Sequence, residues 1–322
     1  MKGIVRDIKK YFGTKKADKF PADIKIEFSS VCNFVCPMCP MAAGKLNRTS
    51  FLTEETIRKI VDEIAEKKLG VKTIALSLFG ESFINKKFFD HLKIIHEVLP
   101  HVKTRISTNF GVIDEAMALK LAKSSISEIS ISIDSLDKEI YAKQRHGGNI
   151  EKTLKNVNCF LALRNKHNPK IKVQINFVRT KLNKEGIKEF ISYWESKLSK
   201  GDSVKLIPGH SWAGQADDDD LIESYKFGFK KVCSAPFDNL CIFTNGDCTV
   251  CCMDSFNKLN VGNVVETSLE EVWNSSKMKR MRSRFLKKDY RGLICANCEV
   301  SKFYPVKYVK NRLYLVKEIK IK

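Results

Sequence analysis

Short runs of β-branched residues alternate along the chain with longer stretches in which apolar residues recur every three or four positions. This alternation is typical of strand–helix units arranged around a parallel sheet. Six strands are predicted, at residues 23–30, 71–80, 102–110, 128–134, 171–180 and 203–211. The pattern therefore predicts an α/β fold whose first two thirds form six strand–helix units.

The first predicted helix shows how clear the pattern is. It begins after Thr53, a favourable N-cap residue, and has acidic residues in its first turn. Ile57, Ile60 and Ile64 share one face, and Gly70 ends the segment. In parallel α/β folds the functional residues cluster at the strand ends, so the residues that follow each strand are the first candidates for chemistry.

Composition places the chain among ordinary globular proteins, because 43% of its 322 residues are hydrophobic and 29% are charged. The N-terminus has neither the apolar core nor the cleavage site of a secretory signal, which predicts a cytoplasmic protein. In that reducing compartment its 11 cysteines, an odd number, are better explained as metal ligands than as a disulfide framework.

The charge balance is strongly basic, with 57 Lys and Arg against 37 Asp and Glu and a formal net charge of +20. A positive field of this kind attracts anions such as phosphorylated metabolites, nucleic acids or acidic lipid headgroups. Lysines spread over solvated helix faces would give the same net charge without any specific anionic partner. No nucleic-acid recognition motif accompanies the charge, so a nucleic-acid partner is not expected.

Three cysteines stand close together in the stretch VCNFVCPMCPM, directly after the first predicted strand. Cys32, Cys36 and Cys39 have the spacing CxxxCxxC, with no fourth Cys or His nearby. Structural zinc sites usually pair two CxxC or CxxH units. Three thiolates instead suit a four-iron cluster that keeps one iron open for a further ligand.

This motif, at the loop after the first strand of six βα units, resembles that of the radical S-adenosylmethionine (SAM) superfamily. The resemblance implies a partial (β/α)6 TIM-like barrel and a [4Fe-4S] cluster held by the three cysteines. It also implies SAM at the open iron, cleaved reductively to a 5′-deoxyadenosyl radical that abstracts hydrogen from a substrate C–H bond. An external one-electron reductant such as flavodoxin or ferredoxin would supply the electron.

The family's GGEP-like turn corresponds here to LFGES, where Phe79 replaces the first Gly and Ser82 replaces the Pro. The retained Gly80 would let backbone approach the methionine amino group. Arg145 resembles the arginine that pairs with the SAM carboxylate, and Met38 stands where an aromatic residue more often packs on adenine. Polar strand-end residues can equally cap the next helix. The implied SAM-binding residues are Met38, Gly80, Glu81, Ser107, Asn109, Ser132, Asp134 and Arg145.

A second group of cysteines occupies the C-terminal third and resembles the twitch or SPASM extension of the superfamily. Its pattern joins Cys233 and Cys251, around an Asn-Gly hairpin signal, to Cys295 and Cys298. The resemblance implies a small cluster-binding domain in which these four cysteines hold an auxiliary [4Fe-4S] cluster. No cysteine follows Cys298, so a single auxiliary cluster is expected.

A zinc site is the competing interpretation. Cys248 and Cys251 form one CxxC pair, Cys295 and Cys298 form a second one, and two such pairs are typical of zinc sites. On one continuous strand after the hairpin turn these two residues would point to opposite faces, which favours the iron–sulfur interpretation. The remaining cysteines of this region, Cys241, Cys248 and Cys252, are then interpreted as core thiols. The role of Cys159 stays open.

The shorter extension resembles dehydrogenases of aminocyclitol antibiotic biosynthesis, in which a closed cluster accepts the second substrate electron. We therefore expect oxidation of a carbinol C–H of a sugar or cyclitol-type substrate, with His210 and Arg179 as candidate bases. Epimerisation, which needs a hydrogen donor such as a thiol, and peptide modification are the alternatives. A zinc- and nucleic-acid-binding protein without enzymatic activity is the alternative from a different class.

The expected organisation is a basic segment at 1–22, the barrel at 23–215, an acidic linker at 216–232, the cluster domain at 233–304 and a basic tail at 305–322. The short segment before the first strand favours a small substrate, and the charge favours an anionic one, such as a nucleotide- or lipid-linked sugar. The apolar stripe that includes Ile4, Ile8 and Phe12 and the basic tail fit either peripheral membrane contact or packing on the barrel.

Overall fold

The computed structural model describes residues 19–41, 49–216, 233–298 and 317–320. Its strands form one ten-stranded sheet in the order β10-β6-β5-β4-β3-β2-β1-β7-β8-β9. The strands are β1 (Asp23–Ile26), β2 (Thr73–Ala75), β3 (Lys103–Thr108), β4 (Glu128–Ser132), β5 (Lys172–Arg179), β6 (Ser203–Pro208), β7 (Leu240–Ile242), β8 (Asp247–Thr249), β9 (Asn260–Asn263) and β10 (Lys317–Lys320).

The α-helices connect successive strands of the barrel and then flank the C-terminal strands. They are α1 (Glu54–Glu66), α2 (Phe88–Val98), α3 (Glu115–Ala122), α4 (Lys138–Gln144), α5 (Ile150–His167), α6 (Ile187–Glu195), α7 (Ala235–Asp238), α8 (Leu269–Asn274) and α9 (Ser276–Leu286). The predicted cap of α1 is confirmed, because the Thr53 side chain accepts a hydrogen bond from the Thr56 amide.

Strands β1 to β6 pair in parallel in chain order, which confirms the predicted partial barrel. Each strand is shorter than its apolar run in the sequence; the run at 71–80, for example, contains only the three residues Thr73–Ala75 in strand conformation. Beyond Ala75 the chain remains buried but leaves the ladder, and its polar residues enter a cavity at the carboxyl ends of the strands. Apolar content marks burial, whereas strand length depends on pairing.

The two faces of the barrel sheet differ sharply in polarity. Outward-facing residues such as Ile24 and Ile129 are fully buried beneath the helices and form the main apolar core. Inward-facing residues on the same strands are polar, as Lys25, Arg105 and Ser130 show. A polar interior is the surface that a water-soluble substrate requires, so the fold itself indicates where chemistry takes place.

The C-terminal region extends the barrel sheet. Strand β7 pairs in parallel with β1, and β8 and β9 follow in antiparallel order. The predicted Asn-Gly turn joins β7 to β8, with Gly246 at a φ of +84°, a conformation that favours glycine. At the opposite edge, β10 pairs antiparallel with β6, so this part of the basic tail packs on the barrel.

The expectation of one continuous strand through Cys248 and Cys251 was wrong. Strand β8 ends at Thr249, and Cys251 lies beyond it in irregular structure, so strand alternation does not relate the two thiols. The N-terminal stripe and the acidic linker lie outside the described residues. Among the helices that the structure describes, none combines the length and the apolar composition needed to cross a membrane.

Candidate functional site

A cavity of about 520 Å³ opens at the carboxyl ends of the barrel strands. Its wall includes all three cysteines of the CxxxCxxC motif and most of the residues to which the resemblance gives SAM-binding roles. These residues on the wall are Cys32, Cys36, Met38, Cys39, Gly80, Glu81, Ser107, Asn109, Ser132 and Arg145. The predicted residues therefore meet at one site, although they come from five segments of the chain.

A tight turn holds the three cysteines of the cluster loop, residues 31–41. The Cys39 amide donates to the Cys36 carbonyl at 2.9 Å. The Cys32 sulfur accepts from the Phe34 amide at 3.5 Å and from the Asn109 side chain at 3.6 Å. A third contact anchors the loop to the barrel, because the Val35 amide donates to the His146 carbonyl at 2.8 Å.

The three thiols would hold their protons without a metal. Burial raises the pKa of Cys32 to about 11 and that of Cys39 to about 12. For Cys36 burial also raises the pKa, while the nearby Arg145 guanidinium lowers it. Thiolates are the ligands of iron–sulfur clusters, so cluster binding must release these protons. Three free thiols on one cavity wall fit a cluster with an open iron.

Arg145 is held beside the cluster loop by a buried ion pair. Its Nε donates to Asp134 Oδ2 at 2.6 Å, and its Nη1 lies 3.8 Å from the Cys36 sulfur. The other Asp134 oxygen accepts from the Val178 amide at 2.7 Å. Asp134 is fully buried behind Arg145 and does not line the cavity. It is therefore placed to orient the arginine rather than to contact a cofactor directly.

The Gly80–Glu81 turn is shaped by the chain around it. A Cβ on Gly80 would stand 2.2 Å from the Ser29 carbonyl oxygen, so only glycine fits here. The Glu81 carboxylate accepts from the Thr108 hydroxyl at 3.0 and 3.1 Å and from the Asn109 amide at 2.8 Å. Burial raises the pKa of Glu81 to about 7. Glu81 thus ties the turn to the end of β3.

Two aromatic residues complete the cavity wall, and the sequence reasoning assigned no role to either. Phe79, which replaces the family's first motif glycine, lies 5.7 Å from the Trp212 ring and 6.1 Å from the Phe243 ring, between centroids. The Trp212 indole donates to the Met38 carbonyl at 2.8 Å. The loop after β6 is thereby fastened to the cluster loop. The sequence signal for this packing of Phe79 against Trp212 and Phe243 was a large aromatic residue at a position where the family usually has glycine.

The two candidate bases lie in different places. His210 is on the cavity wall, with its ring 4.8 Å from that of Trp212 and its Nδ1 accepting from the Trp212 amide at 3.3 Å. Arg179 is not on the wall; its carbonyl accepts from the Gly209 amide at 3.1 Å at the end of β5. Of the two, His210 alone faces the space in which a substrate would bind.

The C-terminal cysteines lie in an apolar setting. Cys233 and Cys295 pack against the apolar cluster of Phe237, Phe285 and Tyr290. Burial, and secondly the neighbouring thiols including that of Cys298, raises the pKa of Cys233 to about 11 and of Cys295 to about 12.

The sulfur of Cys251 accepts a hydrogen bond from the Met253 amide at 3.4 Å, and its neighbour Cys252, followed by burial, raises the pKa of Cys251. Four free thiols are a donor set that suits a fully ligated cluster. Within the described ranges, no three Cys, His, Asp or Glu side chains converge on a single metal ion.

The other cysteines divide between core and cavity. Cys241 and Cys248 are fully buried, as the core interpretation predicts. Cys252 is different, since it is half-buried and lines the cavity, so its interpretation as a core thiol was wrong. Cys159 is half-buried on α5, away from the cavity wall.

Comparison with protein families gives two adjacent matches. The sequence model of the radical SAM superfamily matches residues 26–193, which is more than half of the chain. The SPASM iron–sulfur cluster-binding domain matches residues 233–299. The two matches imply a SAM-binding four-iron cluster in the barrel and an auxiliary cluster after it.

Individual relatives are more distant. A probable GTP 3′,8-cyclase of Pyrococcus horikoshii is 32% identical over 119 residues, covering 37% of this chain and 36% of that protein. A GTP 3′,8-cyclase of Hydrogenovibrio crunogenus is 28% identical, covering 57% of this chain and 53% of that protein. The chain thus spans about half the length, or less, of these curated relatives.

Among solved structures, BtrN in complex with AdoMet and 2-DOIA aligns with a TM-score of 0.59 and 18% identity, covering 88% of this chain and 93% of BtrN. Streptococcus suis SuiB bound to the precursor peptide SuiA aligns with a TM-score of 0.67 and 19% identity, covering 94% of this chain and 74% of SuiB. At these identities the likeness concerns the fold.

Proposed function

Because the chain belongs to the radical SAM superfamily and carries an SPASM domain after its barrel, we propose that it oxidises a carbinol C–H of a small sugar- or cyclitol-type substrate. The observation that carries this proposal is the polar interior of the barrel. The substrate cavity has hydroxyl groups on adjacent strands, from Ser107 on β3 and Ser130 and Ser132 on β4. Such a wall suits the hydroxyl groups of a polyol.

Cys32, Cys36 and Cys39 would hold the first cluster and leave its fourth position facing the cavity. When bound, the cluster and SAM together supply the radical that abstracts the substrate hydrogen. The chain's own contribution is to bind SAM and orient it. Arg145, already charged and fixed by Asp134, is placed to pair with a carboxylate. Met38 would give an apolar contact to adenine.

His210 is the proposed base that receives the carbinol proton. Nδ1 accepts a hydrogen bond, which makes it the basic nitrogen of the neutral ring, and a substrate hydroxyl would compete with the Trp212 amide for it. Since Arg179 is absent from the cavity wall, we do not propose it as a base. The Trp212 ring fixes the position of the imidazole by edge-on contact.

Cys233, Cys251, Cys295 and Cys298 would hold the auxiliary cluster. A cluster ligated by four cysteines has no open iron, which leaves electron transfer or structural support as its function. We propose that it accepts the second substrate electron, and that an external one-electron reductant of the flavodoxin or ferredoxin class serves the first cluster. This set of partners corresponds to a cytoplasmic enzyme.

One observation favours epimerisation as the second candidate. Cys252 lines the same cavity as the cluster cysteines, so a thiol borders the space in which a substrate would bind. A thiol that returned hydrogen to the radical would give an epimer instead of a ketone. Peptide modification has no comparable support in the described residues, and the peptide in the SuiB structure belongs to that protein alone.

The test is anaerobic reconstitution followed by incubation with SAM, dithionite and a panel of cyclitols and sugars, each offered free and as its phosphate ester. About eight irons per chain would indicate two four-iron clusters. Oxidation predicts a product two hydrogens lighter than its substrate, formed in step with 5′-deoxyadenosine. In heavy water, deuterium at the abstracted carbon of an otherwise unchanged substrate would indicate epimerisation instead. Zinc without visible absorption would contradict both.

A further inference from the structure

Besides Arg145, two further cations line the substrate cavity, and both lie on barrel strands. Lys25 projects inward from β1, and Arg105 from β3. In the sheet register both are level with Ala75, which lies between them on β2. Two strand spacings of about 4.8 Å separate their backbones, so two long side chains can converge above the small alanine.

Lys25 makes one direct side-chain hydrogen bond. Its ammonium donates to the Asn239 Oδ1 atom at 2.6 Å, and among the described residues it makes no ion pair with a carboxylate. The side chain is half-buried. The ammonium has three N–H donors, so two remain available to an anionic ligand in this part of the cavity.

Arg105 is only partly engaged. One terminal nitrogen pairs with Asp23 Oδ2 at 2.5 Å, which leaves the rest of its five-donor guanidinium available. The single carboxylate of Asp23 balances one of the two cations. Among these three charged side chains, positive charge is therefore in excess.

Hydroxyl groups border the same corner. Ser77 and Ser107 line the cavity and are linked, since the Ser107 amide donates to Ser77 Oγ at 3.0 Å. Ser130 continues this polar wall on the next strand. The corner therefore offers an ammonium, a guanidinium and hydroxyl donors around one space.

We propose that Lys25 and Arg105 form a phosphate subsite, which binds a phosphate ester carried by the substrate. The proposal deepens the proposed function, because it requires that the substrate occupies this cavity. A phosphate ester has three terminal oxygens and nearly two negative charges, which match the several donors and two cations here. Arg145 lies next to the cysteines of the cluster loop, so it serves the cofactor side of the cavity.

A competing explanation is that Lys25 and Arg105 only balance the negative charge of the auxiliary cluster. Lys25 and Arg105 both lie close enough to the Cys252 sulfur to affect it electrostatically, and Cys252 is adjacent to Cys251. On that explanation, replacing Lys25 would lower the reduction potential of the auxiliary cluster and leave anion binding unchanged. The phosphate subsite predicts instead that replacing Lys25 weakens anion binding.

The experiment measures pyrophosphate binding to the reconstituted enzyme by calorimetry at fixed ionic strength, with acetate as the carboxylate probe. Lys25→Met and Arg105→Met should each weaken pyrophosphate binding about tenfold or more, the effect of losing a charge-assisted contact. Lys103→Met is the matched control, because Lys103 is an exposed cation on the same strand as Arg105. It should leave binding unchanged.

Three results would overturn the proposal: no pyrophosphate binding to the wild type, equal binding by the Lys25→Met variant, or acetate binding as tightly as pyrophosphate. Melting temperature and iron content establish that each variant is folded, and a redox titration followed by electron paramagnetic resonance tests the competing explanation. A shift in potential together with unchanged pyrophosphate binding would decide for that explanation.

The two proposals fail separately. If Lys25 is needed for pyrophosphate binding but no polyol phosphate is oxidised, the subsite stands and the proposed oxidation does not. If free polyols are oxidised as efficiently as their phosphate esters, the oxidation stands and the subsite is refuted.

Discussion

The two cysteine sites of this protein are surrounded by different kinds of side chain. Around the cluster loop, polar groups approach the sulfurs directly, with the Asn109 amide beside Cys32 and the Arg145 guanidinium beside Cys36. Around Cys233 and Cys295 the neighbours are apolar. The first site faces a cavity whose wall carries polar groups as well as aromatic residues, and the second packs against aromatic rings.

This difference indicates what each site can do. Polar side chains aimed at the first site can bind and orient a charged cofactor, whereas the aromatic neighbours of Cys233 and Cys295 favour electron storage or structural support. The number of cysteines, three against four, suggests the same division. Each prediction below tests whether the contrast between an open and a closed site is correct.

The largest effect is expected from removing the open site. Replacing Cys32, Cys36 and Cys39 with Ala should abolish SAM cleavage, because no three-thiolate cluster can form, while the absorption of the second cluster remains. The measurement is 5′-deoxyadenosine by chromatography, with iron content falling by about half. Cys159→Ala is the control and should cleave SAM normally. Normal cleavage by the triple variant would refute the assignment of the open site.

Removing one of the four cysteines assigned to the auxiliary cluster should have a different consequence. Cys295→Ala should leave SAM cleavage measurable but uncouple it from product, because a substrate radical would form without its electron acceptor. The ratio of 5′-deoxyadenosine to product should therefore rise several-fold. Cys241→Ala, which changes a fully buried thiol in β7, is the matched control. If Cys295→Ala instead unfolds the C-terminal region, the cluster there is structural, since binding free energy is folding free energy.

The polar surroundings of the open site can be tested against a purely structural ion pair. Arg145→Met and Arg164→Met each leave a buried Asp unpaired, Asp134 and Asp202 respectively, at a cost of about 3–5 kcal/mol. Only Arg145→Met should also weaken SAM binding, by roughly ten- to a hundredfold, the value of a charge-assisted hydrogen bond. Equal SAM affinity in the two variants would contradict the role proposed for Arg145.

The smallest effect is expected from the contact between the loop after β6 and the cluster loop. Trp212→Phe removes the indole hydrogen bond to the Met38 carbonyl, worth about 1 kcal/mol, and should weaken SAM binding about fivefold. Trp273→Phe is the control, because its indole donates to the Lys19 carbonyl at 3.0 Å, remote from the cavity. A loss of SAM affinity in both variants would indicate a general effect on stability.

The sequence was sufficient for those parts of the fold that depend on local pattern. The six barrel strands, the cap of α1 and the turn at Asn245–Gly246 follow from periodicity, capping chemistry and turn preference, each of which acts over a few residues. The motif spacing also predicted that the three cluster cysteines share one site, and all three line the same cavity.

Long-range contacts were beyond this reasoning. The hydrogen bond from Trp212 to Met38 joins residues 174 positions apart, and no periodicity encodes it. The support of Arg145 by Asp134 and the position of Cys252 on the cavity wall likewise depend on how strand ends meet in space. The continuous strand expected through Cys248 failed because the register between β8 and β9 shifts after Cys248 and β8 ends one residue later, at Thr249.

The parallel pairing of β7 with β1 limits how the molecule can be divided. A chain cut before residue 233 would lose β7 and leave β1 as a bare edge, with unpaired N–H and C=O groups and the buried Ile24 and Ile26 beside them. Exposed edges of this kind pair with other chains and aggregate. We therefore expect the barrel and the cluster-binding region to fold as one unit, and a barrel produced alone should precipitate even though its own cysteine motif is complete.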